Sequence, residues 1–238
     1  MRKCEVKQAF VLCAGNGTRL YPLTKIIPKC LVKVKGISVL TYIHKHLSKF
    51  GIHDLICNIG YLKEELELYV KENNQNINLS YESTPLGTAG GILNVIELMN
   101  DDFIVYYGDV IANVDINRLI DFYKEKQADA ALFIHQSNEP STGGLVEFDE
   151  SFKVINIIEK PKSGFEISNF INSGILIIQK SSIQGYKKED YFDLAGNLLP
   201  QMLKDNKKIY ALPISDDEYV FDMGTFERLE KTTKYFSL

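Results

Sequence analysis

Three absences narrow the class of protein that this 238-residue sequence can encode. It contains no apolar run that approaches the about eighteen residues of a membrane-spanning helix. The first residues, MRKCEVKQ, lack the apolar stretch of a signal peptide, so we expect a cytoplasmic protein. The formal net charge is -4 and no long basic tract occurs, which argues against general nucleic-acid binding. A few local cations can still hold an anionic ligand.

The cysteines and histidines show no metal-binding spacing. Cys4, Cys13, Cys30 and Cys57 include no C-x-x-C pair, and the histidines form no ligand set. We therefore predict reduced thiols that pack as small apolar groups, rather than a zinc or redox site.

The alternation of β-rich runs and amphipathic segments predicts an α/β fold with a mostly parallel sheet flanked by helices. QAFVLC, DLICNIG, INLSYES and DFIVYYGD read as strands, and SVLTYIHKHLSKFG reads as a helix. Beyond about residue 140, the closely spaced strands GGLVEFDE, KVINIIEKP and FINSGILIIQK predict a small antiparallel lid. Since no linker separates the parts, we predict one domain over 1–238, with lobes at about 7–135 and about 140–238.

The stretch FVLCAGNGTRLYPLTKIIPKC combines a strand, a glycine loop and two cations. A loop that leaves the carboxyl end of a parallel strand lies where open α/β sheets bind ligands. Gly15 and Gly17 have no Cβ atoms, so successive amides can approach phosphate oxygens closely. Arg19 and Lys29 add positive charge to the same region. The pattern favours a polyphosphate cradle.

Other interpretations of the glycine loop are open from the residues alone. A loop with two glycines is often a simple turn. The loop has no G-K-[ST] ending of a Walker-type P-loop, and Leu20 replaces the third glycine of a dinucleotide-binding fingerprint.

Two aspartates each follow an apolar or aromatic β-rich run and lie within two residues of a glycine, Asp109 in YYGDV and Asp222 in FDMGT. Burying such a carboxylate is costly unless a cation offsets its charge. Magnesium takes few protein carboxylates and completes its shell with water and phosphates, so the pair suits Mg²⁺. Either aspartate can instead be a turn or helix N-cap residue.

The segment ESTPLGTAGG places three glycines between a strand and a helix, where backbone groups can line a flat slot for a nucleotide base. Glu82 lies just upstream, and its carboxylate can accept hydrogen bonds from a ring N–H of a base. In the alternative interpretation, Thr88 caps the helix and Glu82 lies in solvent.

These motifs together resemble a known family. LCAGNGTRLYPLTKIIPK is similar to the signature of the nucleotidyltransferases that activate sugar 1-phosphates, with departures at Cys13-Ala14, Asn16 and Cys30. TPLGTAGGI, YYGDV, IIEKP, FINSGI and FDMGTFERL follow in the family's order along nearly the whole chain. The sequence looks nearest to the mannose-1-phosphate and heptose-1-phosphate guanylyltransferase branch. The resemblance implies a Rossmann-like fold of the nucleotide-diphospho-sugar transferase type, with a nucleoside triphosphate (NTP)-binding core and a sugar-phosphate lobe.

The resemblance also implies roles for particular residues. The implied catalytic cations are Arg19, Lys29 and Lys160, and the implied Mg²⁺ ligands are Asp109 and Asp222. The implied nucleotide-binding residues are Leu12, Ala14, Gly15, Gly17, Thr18, Glu82, Pro85, Gly87, Thr88 and Gly108. The implied sugar-binding residues are Gly144, Glu159 and Asn172. Without the resemblance, an exposed turn is the simpler interpretation of Glu159-Lys160-Pro161, the EKP motif.

The implied reaction is Mg²⁺-dependent transfer of a nucleotidyl group from an NTP to a sugar 1-phosphate, with GTP and mannose or heptose 1-phosphate favoured. UTP-, dTTP- and CTP-specific enzymes stay open. So does a phosphocholine cytidylyltransferase, for which an aromatic cage near Tyr106, Tyr107 and Phe170 would be diagnostic. A non-catalytic nucleotide-binding relative is disfavoured because all the charged motif residues are present. Since the sequence ends at Leu238, we expect no second catalytic domain.

Overall fold

The computed structural model describes residues 5–73, 76–139, 143–161, 167–186 and 191–237. The chain divides into two compact units, each discontinuous in sequence. The glycine-loop unit comprises Lys7–Pro85, Tyr106–Val114 and Glu218–Leu238, and the EKP unit comprises Met1–Val6, Leu86–Val105 and Asp115–Asp217. The prediction of one domain with two lobes stays a prediction.

Strands and helices alternate along most of the described chain. The strands are β1 Gln8–Leu12, β2 Lys33–Val34, β3 Ile37–Ser38, β4 Asp54–Ile59, β5 Ile77–Tyr81, β6 Asp102–Tyr107, β7 Val110–Asn113, β8 Ala130–Gln136, β9 Gly144–Phe148, β10 Val154–Glu159, β11 Phe170–Gln179, β12 Ile209–Pro213 and β13 Tyr219–Asp222. The helices are α1 Val39–Lys49, α2 Lys63–Glu72, α3 Gly87–Asn94, α4 Ile116–Glu125, α5 Lys180–Ile183, α6 Leu199–Lys204 and α7 Phe226–Tyr235.

The glycine-loop unit is built on three parallel strands in the order β1-β4-β5. The buried residues of β1 and β4 are mostly apolar, apart from Gln8 and Asn58, as expected for parallel strands covered on both faces. Helix α1 connects β1 to β4 and buries one apolar stripe, including Leu40, Ile43 and Leu47. Ser38 caps this helix by accepting a hydrogen bond from the Thr41 amide. The predicted alternation of strands and helices is therefore present here, and the glycine loop begins at the carboxyl end of β1.

An antiparallel ribbon of β7 and β13 completes the glycine-loop unit. In its register Asp222 lies opposite Val110, and Tyr219 lies opposite Asn113. Aromatic side chains fasten α7 to β13, with the rings of Phe221 and Tyr235 centred 4.8 Å apart. The ribbon brings the end of the sequence back to the residues that follow β6.

The EKP unit contains a second, larger set of antiparallel strands. Within it β10 pairs with β9, β9 with β11, and β11 with β8, all antiparallel, while β12 pairs with β8 in parallel. Helix α4 begins at the N-cap Asp115 and buries Ile116, Leu119 and Ile120. A π-helical turn, Leu194–Leu198, leads into α6.

The predicted fold class is confirmed: the chain is α/β, with parallel strands, flanking helices and a smaller antiparallel part. The described cysteines Cys13, Cys30 and Cys57 are free and buried, and Cys4 lies outside the described residues. Among the described helices, none combines the length and apolar character needed to cross a bilayer.

Candidate active site

The glycine loop begins where β1 ends, and it needs its second glycine. Gly17 has a positive φ of 61°, and a Cβ atom there would lie 3.1 Å from the Thr24 methyl carbon. The Gly17 carbonyl accepts a hydrogen bond from the Thr24 hydroxyl at 2.7 Å. Gly15 is exposed, and a Cβ atom there would meet nothing within 4 Å. One glycine therefore shapes the loop, and the other keeps it open to a ligand.

Gly108 allows a close approach to the end of β1. Its amide donates to the Leu12 carbonyl at 3.1 Å, and a Cβ atom at this position would lie only 2.3 Å from that oxygen. A side chain at 108 would push Asp109 away from the loop. The predicted nucleotide-binding residues Leu12 and Gly108 are thus in contact through their backbones.

The β7–β13 ribbon brings Asp109 and Asp222 together. Asp222 ends β13 opposite Val110, and the Met223 amide donates to the Asp109 carbonyl at 2.8 Å. The alternative that Asp222 caps the following helix is wrong, because the N-cap of α7 is Thr225. Asp109 lies between β6 and β7, beside the loop, as the metal-site prediction requires.

Asp109 is held in its ionised form by two cations. Its carboxylate forms an ion pair and hydrogen bond with the Lys29 ammonium. Burial alone would raise the pKa of Asp109, but the charge and hydrogen bond of Lys29, with the charge of Arg19, lower that pKa overall. The predicted cations Arg19 and Lys29 therefore act on the predicted metal ligand.

Asp222 has one carboxylate oxygen with a partner and one without. Arg228 Nη1 donates to Oδ2 at 2.6 Å. Oδ1 is buried and has no hydrogen-bond partner in the part of the chain that the structure describes. Burial and the charge of Asp109 raise the pKa of Asp222, against the lowering effect of Lys29 and Arg228. A buried, unpartnered carboxylate oxygen next to a second carboxylate is a costly arrangement that a cation would stabilise.

Gly224 makes room for this arrangement. A Cβ atom there would lie 2.6 Å from Asp222 Oδ1 and 2.9 Å from Arg19 Nη2. Both atoms therefore lie beside the same backbone position. Arg19, Asp222 and Gly224 form one packed group.

The residues present fit a magnesium ion. Asp109 and Asp222 supply hard oxygen ligands, and a phosphate-bound Mg²⁺ needs few protein carboxylates. Within the described ranges, no group of three or more His, Cys, Asp or Glu side chains is arranged to hold a metal without such help. The donor set therefore suits a metal that arrives with a nucleotide, rather than a permanent structural ion.

A cavity of about 240 Å³ lies in the same unit and is lined by Ala14, Asn16, Gly60, Tyr61, Tyr81, Glu82, Ser83 and Pro85. Glu82 is 6% exposed and accepts a hydrogen bond from Asn58 Nδ2 at 2.8 Å, so the alternative that it lies in solvent is wrong. A Cβ atom at Gly60 would lie 3.3 Å from the Glu82 carbonyl. Three of the predicted nucleotide-binding residues, Ala14, Glu82 and Pro85, line this cavity.

Gly87 and Thr88 open α3 in the EKP unit. A Cβ atom at Gly87 would lie 2.5 Å from the Phe192 carbonyl. Thr88 is not the cap of α3: its hydroxyl donates to Asp193 at 2.8 Å and accepts from the Leu194 amide at 2.6 Å. These contacts attach the helix to the π-helical turn, and nucleotide-binding roles for both residues stay predictions.

The predicted sugar-binding residues lie together on β9, β10 and β11. Glu159 pairs with Gly144, and a Cβ atom at Gly144 would lie 2.9 Å from Glu159 Oε2 and 3.9 Å from Asn172 Cβ. The small residue thus leaves a space between a carboxylate and an amide, groups that can bind paired hydroxyls.

Lys160 follows β10 in a conformation unusual for lysine. Its φ is 45°, and its amide donates to the Gly143 carbonyl at 3.1 Å. The side chain is 62% exposed, with its ammonium 3.0 Å from Glu159 Oε1. Such backbone conformations cluster at functional sites and cost free energy that neighbouring contacts must offset.

The aromatic cage proposed for phosphocholine does not form around Tyr106. That ring is fully buried, and its hydroxyl lies 3.1 Å from His46 Nδ1. Tyr106 is a core residue that a ligand does not reach.

Several site residues escaped the sequence predictions. The cavity adds Asn16, Gly60, Tyr61, Tyr81 and Ser83, and the aspartate cluster adds Gly224 and Arg228. GY directly after the strand DLICNI was an available signal for Gly60 and Tyr61, because it marks the carboxyl end of a second parallel strand. Arg228 gave no signal, since an arginine in a helix is ordinary.

Comparison with known proteins points in one direction. Residues 8–236 match a protein-family model described as nucleotidyl transferase. The mannose-1-phosphate guanylyltransferase of Mycobacterium tuberculosis is 32% identical over 224 residues, which cover 92% of this chain and 61% of that protein. The D-glycero-alpha-D-manno-heptose 1-phosphate guanylyltransferase of Campylobacter jejuni is 30% identical over 223 residues, which cover 92% of this chain and 96% of that protein.

A solved structure matches over almost the whole fold. The crystal structure of HddC from Yersinia pseudotuberculosis, complexed with GMP-PN, superposes with a TM-score of 0.81 at 26% sequence identity. The match covers 97% of this chain and 100% of the HddC chain. This chain spans only about three fifths of the Mycobacterium protein, but nearly all of the Campylobacter protein and of HddC.

Proposed function

We propose, because this chain belongs to the nucleotidyl transferase family, that it transfers a nucleotidyl group from an NTP to a sugar 1-phosphate and releases pyrophosphate. The relatives named above carry the names of such enzymes. The proposal extends that activity to this chain and assigns its residues to the steps.

The observation that carries the proposal is the cluster of four charged side chains in the glycine-loop unit. Arg19, Lys29 and Asp109 interact electrostatically, and Asp222 Oδ1 beside them is buried with no hydrogen-bond partner among the described residues. Cations and carboxylates in one place suit a ligand that is itself a metal-bound polyphosphate. A simple turn would not require this charge arrangement.

In the proposed reaction the glycine loop binds the triphosphate. The open backbone at Gly15 and the exposed Arg19 would contact phosphate oxygens, and Lys29 would add a second positive charge. Asp109 and Asp222 would hold Mg²⁺. The ion would neutralise phosphate charge and fix the orientation of the reacting groups. Leu12, Gly17, Thr18 and Gly108 would shape this part of the site.

The sugar 1-phosphate would bind to the EKP unit. Glu159 and Asn172 would hold sugar hydroxyls, with Gly144 leaving room between them. Lys160 would bind the sugar phosphate. Its ammonium is exposed and would leave its ion pair with Glu159 to contact the phosphate.

The chemistry requires no side-chain nucleophile, because the sugar phosphate is ionised near neutral pH. One of its oxygens would form a new bond to the α-phosphorus of the NTP, while the bond from that phosphorus to the β-phosphate oxygen breaks. Pyrophosphate would leave with the released electron pair. The chain's residues would contribute positioning and charge neutralisation.

We favour GTP with mannose or heptose 1-phosphate as substrates. The named guanylyltransferases and the GMP-PN complex of HddC support this choice, and Glu82 in the cavity suits the N–H donors of guanine. A cytoplasmic setting, where nucleoside triphosphates are available, belongs to the same proposal.

The test is pyrophosphate release with Mg²⁺, across the four ribonucleotides and dTTP against hexose, heptose and amino-sugar 1-phosphates and phosphocholine. We expect release for one pair, lost in Asp109→Ala and Asp222→Ala. Asp121→Ala, an exposed position on α4, is the matched control and should match the wild type. Absence of release with every pair would contradict the proposal.

A further inference from the structure

The parallel sheet buries a polar side chain close to the candidate site, near the carboxyl end of its central strand β4. Asn58 lies on β4, between Cys57 and Ile59, and is 3% exposed. An amide in such a place is costly unless both of its ends form hydrogen bonds. Its position therefore needs an explanation beyond packing.

The two ends of the Asn58 amide bind different parts of the candidate site. Oδ1 accepts from the Cys13 amide at 2.7 Å, and Nδ2 donates to Glu82 Oε1 at 2.8 Å. The pairing of β1 with β4 ends at Leu12 opposite Asn58. Cys13 is thus the first residue of the glycine loop, and the Asn58 side chain continues the pairing that the backbone has ended.

The asparagine carboxamide carries an acceptor oxygen and a donor NH2 on separate branches of one short side chain, without a charge. A leucine of the same size would leave both the Cys13 amide and the Glu82 carboxylate without this partner. An aspartate would place a second carboxylate against Glu82. The chemistry of the site thus calls for asparagine at this position.

We infer that Asn58 is a positioning residue for base selection, an inference that rests on the proposed function. It fixes the Glu82 carboxylate in the cavity wall and connects that carboxylate to the first amide of the glycine loop. A base with a ring N–H, guanine or uracil, presents a donor to such a carboxylate. Adenine presents the acceptor N1 at the corresponding edge and is disfavoured.

A purely structural role would make a different prediction. If Asn58 only satisfies buried groups, its loss weakens the fold and lowers the affinity for every nucleotide alike. If it positions Glu82, its loss reduces the preference among bases. The ratio of affinities therefore separates the two roles, whereas stability alone does not.

The experiment measures dissociation constants for GTP, UTP and ATP with Mg²⁺ and no acceptor, by titration calorimetry. The variants are Asn58→Leu and Asn58→Ser. The serine side chain is smaller, so the packed core accommodates it more readily than leucine. Asn78→Leu is the control, since Asn78 is exposed on the neighbouring strand β5 and does not line the cavity. Thermal melts identify the folded variants.

The wild type should bind GTP or UTP more tightly than ATP. We expect this preference to fall by about tenfold or more in the Asn58 variants, as for loss of a hydrogen bond to a charged group, and to persist in Asn78→Leu. An unchanged preference in a folded Asn58 variant, or a wild type that binds ATP equally well, would overturn the inference. A wild type that binds none of the three and releases no pyrophosphate would instead refute the proposed function.

Discussion

At the scale of single residues, the glycines of the candidate site are of different kinds. Gly17 adopts a positive φ, and Gly224 lies against Asp222 and Arg19, so both are required by the protein's own geometry. Gly15 has neither constraint, because a Cβ atom there would meet nothing within 4 Å. The described fold therefore does not require a glycine at this position, and we attribute its small size to the proposed phosphate ligand.

Gly15→Ala should separate binding from stability. We expect a melting temperature within about 2 °C of the wild type, because the added methyl group meets no protein atom. The affinity for the NTP should fall by about tenfold or more, because the methyl group occupies the approach of a phosphate.

Gly185→Ala is the matched control, since a Cβ atom there also meets nothing within 4 Å and lies away from the loop sequence. It should change neither the melting temperature nor the affinity. An unchanged NTP affinity in Gly15→Ala would show that the glycine loop does not hold the triphosphate.

Asp222→Asn should lose activity without losing stability. Burial and the nearby Asp109 charge raise the pKa of Asp222, so the ionised form of its carboxylate destabilises the folded protein at neutral pH. A neutral amide of the same size removes that repulsion, and the melting temperature should stay the same or rise. The turnover number should fall by about a hundredfold or more, with weaker Mn²⁺ binding by electron paramagnetic resonance.

The exposed Asp121→Asn is the control for this substitution and should leave both properties unchanged. Retained Mn²⁺ affinity in Asp222→Asn would remove Asp222 from the metal site.

Among the elements, α7 connects helix stability to Asp222, a proposed metal ligand. Thr225 caps the helix by accepting from the Arg228 amide at 3.3 Å, and Arg228 in the first turn binds Asp222 Oδ2. Aromatic contacts with β13 hold the rest of the helix. A change at the cap therefore affects both the helix and the carboxylate.

Two N-cap substitutions test this connection. Thr225→Ala and Asp115→Ala should each lower the free energy of unfolding by about 1 kcal/mol, the usual effect of losing a cap. Only Thr225→Ala should also weaken Mn²⁺ binding and turnover, because Thr225 caps the helix that carries Arg228, the partner of Asp222, whereas Asp115 caps α4 in the EKP unit. Chemical denaturation gives the first quantity and steady-state kinetics the second. Equal loss of activity in both variants would argue against a specific role for α7.

The elements differ in how far the sequence predicts them. β1, β4 and α1 follow from local apolar periodicity and from the Ser38 cap, which the chain displays directly. The pairing of β7 with β13 does not, because the two short strands lie more than a hundred residues apart along the chain and their register depends on tertiary packing. The motif resemblance predicted Asp109 and Asp222 in one site, and the β7–β13 ribbon is the structural element that brings the two residues together.

At the scale of the whole molecule, the predicted residues divide between the two units. The glycine loop, Glu82, Asp109 and Asp222 belong to the glycine-loop unit, while Glu159, Lys160 and Asn172 belong to the EKP unit. The family predicted from the ordered motifs is confirmed by the match over residues 8–236. The sequence predicted Ala14, Glu82 and Pro85 of the cavity lining. The hydrogen bonds of Asn58 were not predictable, because they depend on which side chains meet across neighbouring strands.

In the proposed reaction a sugar phosphate oxygen attacks the α-phosphorus of an NTP. The most direct measurement is phosphorus NMR of the products formed from GTP and mannose or heptose 1-phosphate whose phosphate oxygens carry a heavy isotope. We expect a nucleoside diphosphate sugar together with unlabelled pyrophosphate. The label should be retained on the sugar-side phosphate and on the oxygen that bridges the two phosphorus atoms. Formation of free nucleotide and inorganic phosphate, with the sugar phosphate unchanged, would contradict the claim.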